Sequence, residues 1–215
     1  MSQRLFPDDV LFTQRLLRAQ SLYAGRLDGR WGPLTQAASL EFERQTDLIR
    51  AQFGEFDTRS EVQLVTLLLP AQRAARASLS RMLDAGLAAR ILSGTRSYAE
   101  QNALFRRGRY GNPAPVVTNA RGGQSMHNFG VAWDIGLFDA KGRYLQTAKP
   151  YDTAAVAGIS DALEWGGDNA RFVDRPHYQL RLDLAVGEVR RRFEAGRRFL
   201  PAATTGQAAD PAELR

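Results

Sequence analysis

Two histidines are all that this 215-residue chain contains, and each sits close to an aspartate. His127 lies in "SMHNFGVAWDIG", seven positions ahead of Asp134, and His177 lies in "DRPHYQL", three positions after Asp174. Two imidazoles and one carboxylate are a common donor set for catalytic zinc, because they leave a fourth position for water. Zinc lowers the pKa of such a water and polarises a carbonyl, and a hydrolase built on it wants a general base close by. Asp174 is the nearest carboxylate left over for that task. Each histidine could equally be a hydrogen-bonded structural residue, and spacing alone does not choose.

Local structure must bring these groups together. Residues seven apart on one regular strand point to opposite faces, so His127 and Asp134 cannot share a ligand from a single strand. Gly130 offers a way out, with His127 on a turn and Asp134 on the strand that follows. "VAWDIGLFD" alternates, with Val131, Trp133, Ile135 and Leu137 on one face and Asp134 on the other. "HYQLRL" alternates again from His177, and a neighbouring position for it would supply the third group. "AARILSGTRS" reads as a short strand running into a turn. "SYAEQNALFRRG" opens a helix with a capping box, Ser97 to Glu100. Residues 71–85 form an amphipathic helix that Pro70 separates from "EVQLVTLLL", and "DTAAVAGISDALEW" reads as a helix capped by Asp152 or Thr153. Short strands mixed with helices, without a repeat of parallel units, indicate an α+β fold with a small antiparallel sheet.

The bulk numbers bound the rest. The composition is 44% hydrophobic, with no cysteine, so disulfides and thiolate metal sites are excluded. No apolar run approaches the ~20 residues that a bilayer span needs. The N-terminus lacks the pattern of a signal peptide, so synthesis in the cytoplasm is expected. The net charge is +6, and only Lys141 and Lys149 are lysines. "EVRRRFEAGRRF" reads as a basic amphipathic helix that could touch an anionic envelope, or as a solvated face. No nucleic-acid-binding motif accompanies the charge, and a monomer is expected.

The N-terminal stretch has two helical patterns around a turn at Asp28–Gly29, the first capped by Asp8 or Asp9 and the second opening at Pro33. "TQRLLRAQSLYAGRLDGRWGPLTQAASLEFERQ" resembles the peptidoglycan-binding domain type 1 family over roughly residues 8–47. The resemblance implies a small all-α, three-helix wall-anchoring module, with Tyr23, Asp28, Gly29 and Thr35 as its wall-binding positions. The domain plan is then a helical domain over 1–50, a linker over 51–60, a second domain over 61–200 and a flexible tail over 201–215.

"SGTRSYAEQNALFRRGR", "VTNARGGQSMHNFGVAWDIG", "EWGGD" and "DRPHYQL" occur in the order seen in zinc peptidases of the M15 family (the LAS superfamily). The similarity spans about residues 58–182 and is nearest to the L-alanyl-D-glutamate endopeptidase branch, which includes phage endolysins. It implies an α+β zinc peptidase domain with Zn2+ on His127, Asp134 and His177. It also implies Asp174 as the base and Arg96 as the stabiliser of the developing oxyanion. Ser125, Trp165 and Asp168 would shape the pocket. Asn169 stands where the family often has a second tryptophan, a departure that bears on substrate contacts. The activity the resemblance implies is cleavage of the peptidoglycan stem peptide at L-Ala–D-Glu, as an endolysin made in the cytoplasm that acts at the wall or periplasm after release or non-classical export. The alternatives are a D-Ala-D-Ala carboxypeptidase, a secreted antibacterial effector, and a non-catalytic wall binder.

Overall fold

The computed structural model describes residues 6–170 and 172–200, so the tail expected over 201–215 lies outside the described residues. Four helices come first: α1 (Pro7–Ala19), α2 (Pro33–Phe53), α3 (Thr58–Leu64) and α4 (Leu69–Asp84). Then follow β1 (Ala88–Ser93), α5 (Tyr98–Arg106), β2 (Ala132–Phe138), α6 (Ala148–Gly158), β3 (Leu163–Trp165), β4 (His177–Leu180) and α7 (Val186–Glu194). The strands form one antiparallel sheet in the order β1-β2-β4-β3. This is the expected α+β arrangement.

Helix starts follow from proline more than from acidic caps. α1 opens at Pro7 after Phe6, and Asp8 and Asp9 occupy its first turn, where they suit the positive end of the helix dipole. α4 likewise begins at Leu69 with Pro70 in its first turn, so the proline starts the helix and does not precede it. α6 begins at Ala148, earlier than a cap at Asp152 or Thr153 would place it; Pro150 fits there because first-turn amides need no helical partner. Asp152 instead pairs with Arg175 at 2.7 Å. Only α5 has the cap read from sequence, the reciprocal Ser97–Glu100 box.

One face of the sheet packs on α4. Ala71, Ala75, Leu79 and Met82, at helical spacing, meet Ile91, Trp133, Ile135, Leu137 and Tyr178 in one fully buried core. The Trp133 and Tyr178 rings stack across β2 and β4, with centroids 6.3 Å apart and 12° between planes. Cross-strand partners share a face, so Asp134 opposite His177, and Gln179 opposite Glu164, all lie on the other side. A bulge between Ile91 and Ser93 lets β1 serve both sides: Ile91 faces the core while Ser93 comes opposite Asp134.

Under β1, α3 is seated by a buried ion pair. Arg76 is fully buried and makes two parallel hydrogen bonds to Glu61, at 2.8 and 2.6 Å. From that seat Ser60 accepts the Ile91 amide, Gln63 the Gly94 amide and Thr66 the Thr95 amide, each at 2.9 Å. α3 thereby holds the segment after β1 in place.

Candidate metal centre and active site

His127 sits on a short 3-10 turn, Met126–Phe129, that ends at Gly130 in the left-handed region (φ 71°). A side chain at Gly130 would stand 2.8 Å from Leu68 Cγ, so only glycine makes this turn against α4. The turn is stitched to the loop after β1. The Arg96 amide donates to the His127 carbonyl at 3.0 Å, and the buried Asn128 donates to the Arg96 carbonyl at 2.9 Å.

Three donor atoms converge from these elements. His127 Nε2 and Asp134 Oδ1 are 3.1 Å apart, His177 Nδ1 and Asp134 Oδ1 3.2 Å, and the two ring nitrogens 3.2 Å. Among the described residues they form the one group of acidic, histidine or cysteine side chains placed to hold a metal. Ligands at about 2.0 Å from a tetrahedral zinc stand about 3.3 Å from one another, so the spacing fits that ion. The far side of each ring is also spoken for. His127 Nδ1 donates to the Gly94 carbonyl at 2.7 Å, and His177 Nε2 donates to Gln179 Oε1 at 3.0 Å. Each donation leaves a lone pair facing the centre, and outer hydrogen bonds of this kind orient metal-binding imidazoles. Burial holds the His127 pKa below its usual value despite the pull of Asp134. Asp134 is held well below the carboxylate range, because the two histidines outweigh its burial.

Arg96 is closely held. Nη2 donates to Asp134 Oδ2 at 2.5 Å, Nε and Nη2 donate to Ser93 Oγ, and Nη1 reaches Gln101 Oε1 at 3.2 Å. Its guanidinium thus orients the carboxylate ligand and at the same time borders the cavity.

The three donors open into a cavity of about 610 Å³, which Asp174, Ser125, Trp165 and Asn169 also line. Asp174 is placed by the backbone: its amide donates to the Gly166 carbonyl at 3.0 Å, and its own carbonyl accepts the His177 amide at 3.1 Å. Burial, and then the charge of Asp134, raise its pKa above the ordinary aspartate value. Trp165 donates from Nε1 to the Arg175 carbonyl at 2.7 Å, pinning the segment between Asp174 and His177. Asp168 lies exposed on the turn after Trp165 and is not among the residues that line the cavity, whereas Asn169 is.

Gln179 and Glu164, on the same sheet face as His177, were missed by sequence reasoning, as were Ser93 and the Gly94 carbonyl. The first pair carried a legible signal, since Gln179 is two residues along an alternating strand from His177. The others depend on the bulge and on α3.

The N-terminal positions have internal roles. Tyr23 is 5% exposed and donates to the Arg26 carbonyl at 2.6 Å, and Thr35 is 1% exposed. The fully buried Gln14 donates to Asp28 and Thr35 and accepts the Asp28 and Gly29 amides, which clamps the turn between the helices. Gly29 has φ 68°, with the Pro7 carbonyl 2.7 Å from where a Cβ would be. Tyr23, Gly29 and Thr35 are buried in building the turn, while Asp28, held by Gln14, stays exposed at the surface.

A turn and two sheet strands that aim two imidazoles and a carboxylate at one point, with a further carboxylate in the same cavity, make a site of the metallohydrolase type. Residues 118–180 match the family model described as D-alanyl-D-alanine carboxypeptidase, Peptidase_M15_4. The chain is 39% identical over 100 residues to the peptidoglycan L-alanyl-D-glutamate endopeptidase CwlK of Bacillus subtilis (strain 168). That match covers 42% of this chain and 59% of the relative. Among solved structures, the L-Ala D-Glu endopeptidase ChiX of Serratia marcescens matches at 27% identity and a TM-score of 0.46, covering 62% of this chain and 94% of that one.

Proposed function

We propose that this protein is a zinc-dependent peptidoglycan peptidase that cuts the stem peptide at the L-Ala–D-Glu bond. The observation that carries the reading is the convergence of His127, Asp134 and His177 lone pairs beside Asp174, in one cavity. The activity of the Bacillus subtilis relative supports the choice of bond. Bound on the three donors, zinc would supply a Lewis acid and lower the pKa of a coordinated water.

The remaining work falls to the chain's own groups. Asp174 accepts the proton of the attacking water and returns it to the leaving amine nitrogen; its raised pKa suits a group that must both take and give. Arg96 keeps Asp134 oriented and presents positive charge at the cavity edge where the carbonyl oxygen gains charge. Trp165 and Gly166 hold the base at its station. The N-terminal helices would hold the enzyme on the wall, and the biological role would be that of an endolysin acting after release from the cytoplasm. The carboxypeptidase reading uses the same centre on a terminal D-alanine.

Purified peptidoglycan digested with and without a chelator, and read by mass spectrometry, tests this. New amino-terminal D-glutamate, lost on chelation and restored by zinc, is expected. Free D-alanine would move the activity to a carboxypeptidase. Sedimentation with the wall without any release would leave a binding protein.

A further inference from the structure

Gln179 stands between a metal-site histidine and a carboxylate. His177 Nε2 is 3.0 Å from Gln179 Oε1, and Gln179 Nε2 donates to Glu164 Oε2 at 2.7 Å. A glutamine amide has a donating end and an accepting end, and its hydrogen-bond network decides which way it points. A carboxylate oxygen only accepts. The end of Gln179 that meets Glu164 is therefore the NH2, and the end left for His177 is the carbonyl oxygen. Facing an acceptor, His177 carries its proton on Nε2, which leaves Nδ1 as a bare lone pair toward Asp134 Oδ1 and His127 Nε2.

We infer that Glu164 is a positioning residue that fixes the tautomer of His177 at one remove, by preventing the Gln179 amide from turning over. Without that carboxylate the amide can rotate by half a turn and offer its NH2 to Nε2. The favoured tautomer then has its proton on Nδ1, in the place a metal would take. His127 needs no such device: its outer partner is the Gly94 backbone carbonyl at 2.7 Å, which cannot exchange its ends. The sheet supplies the geometry, because Glu164 and Gln179 are register partners on β3 and β4 and share the face that carries His177. Glu164 does this without belonging to the donor set.

The inference rests on the metal reading of the site and not on its substrate. Zinc affinity, measured by competition with a chromogenic chelator, and the histidine nitrogen shifts of the metal-free protein, measured by NMR, test it together. Glu164→Ala should weaken zinc by a few-fold to about 10-fold, because apparent affinity falls with the fraction of His177 that keeps Nδ1 free. His177 should then show a mixture of tautomers in place of a single Nε2–H form, with His127 unchanged. Gln179→Leu should lose a similar factor, and Glu164→Ala added to it should cost nothing more, since both act through one amide. An unchanged affinity and tautomer in Glu164→Ala, or losses that multiply in the double variant, would overturn it. If the wild-type protein binds no zinc, the metal reading falls, and the metal-free spectra of wild type and Glu164→Ala still decide the tautomer claim.

Discussion

Gly166→Ala places one methyl group where the site has no room for it. A Cβ built there stands 2.3 Å from the Asp174 carbonyl oxygen and 3.0 Å from His177 Cβ. Cβ atoms essentially never come nearer than 3.0 Å to such an atom, so the difference, about 0.7 Å, is the least that the Asp174 carbonyl must move. The glycine's φ lies outside the left-handed region, so the conflict is steric and not one of backbone conformation. Nor can the movement stay local, because that carbonyl accepts the His177 amide and the Gly166 carbonyl accepts the Asp174 amide. Base and ligand shift together. A misplacement of about 1 Å at reacting groups costs about 10²-fold in rate, and overpacking a filled site costs about 1–3 kcal/mol of stability. On a stem-peptide substrate, kcat should fall by roughly that factor of 10². Zinc affinity should move less, since the His177 ring stays hydrogen-bonded to Gln179. Gly187→Ala is the control: it has open space around it in α7, and should leave activity alone while adding about 0.5–1 kcal/mol of stability. A Gly166→Ala enzyme that keeps wild-type kcat would show that the β3–β4 connection does not position Asp174.

Asp174→Asn should lower kcat by about 10²–10⁴-fold while zinc affinity, measured by chelator competition, stays near wild type, because Asp174 lies outside the donor set and the proposed reaction uses it as the base. Arg76→Ala should cost about 3–5 kcal/mol in urea unfolding, since it strands the Glu61 carboxylate in a buried place. The same pair predicts acid sensitivity. Burial alone would raise the Glu61 pKa, but the hydrogen bonds from Arg76 and the Phe56 amide bring it below the ordinary value. Its stabilisation is then complete above the unfolded pKa of about 4.3 and is lost as pH falls through the lower folded value, so a stability–pH curve should drop there. An Arg76→Ala protein with no loss, or a wild-type curve flat through that window, would contradict the ion-pair account. Gln14→Leu should cost about 1–3 kcal/mol for each buried group left unpaired in the Asp28–Gly29 turn, read from the shift in urea midpoint.

What the sequence disclosed divides along a physical line. Strands with one buried face announced themselves by alternation, so Trp133, Ile135 and Leu137 were placed on the core side and Asp134 opposite them. The glycine at 130 announced a turn, and with it the way two residues seven apart could meet. The donor set and the base came from short contiguous motifs and resemblance, and the structure brings all four residues into one cavity. What remained hidden needed pairing in space. No local pattern tells that Ser93 leaves the core face of β1, because a bulge is a property of two strands and not of one. The same holds for Arg96, whose hold on Asp134 depends on α3 fixing Gly94 and Thr95. Helix starts differ from the sequence reading where an acidic residue and a proline compete for the first turn: Pro7 opens α1, and α6 begins at Ala148 with Pro150 in its first turn.

The N-terminal helices sharpen what a wall-anchoring role would mean here. α2 runs on through residue 53 and α3 takes up at residue 58, so little of the stretch 51–60 is free of helix. Phe12 of α1 packs edge-on against Tyr98 and Phe193, and Ala19 belongs to the main core. Gln20 accepts the Leu69 amide at 2.7 Å, and the buried Gln72 of α4 donates to Thr46 of α2 at 3.0 Å. A binder on a flexible tether raises the local concentration of substrate in every orientation. A binder that shares a core with the catalytic sheet fixes one orientation, so a wall contact through these helices would also determine which stem peptides reach the cavity. Removing the helices would strip Phe12, Leu16 and Ala19 from apolar partners, and would unfold the site's support along with any wall contact. A wall contact through these helices would therefore be separable from the chemistry of the cavity by surface substitutions on α1 and α2, but not by truncation.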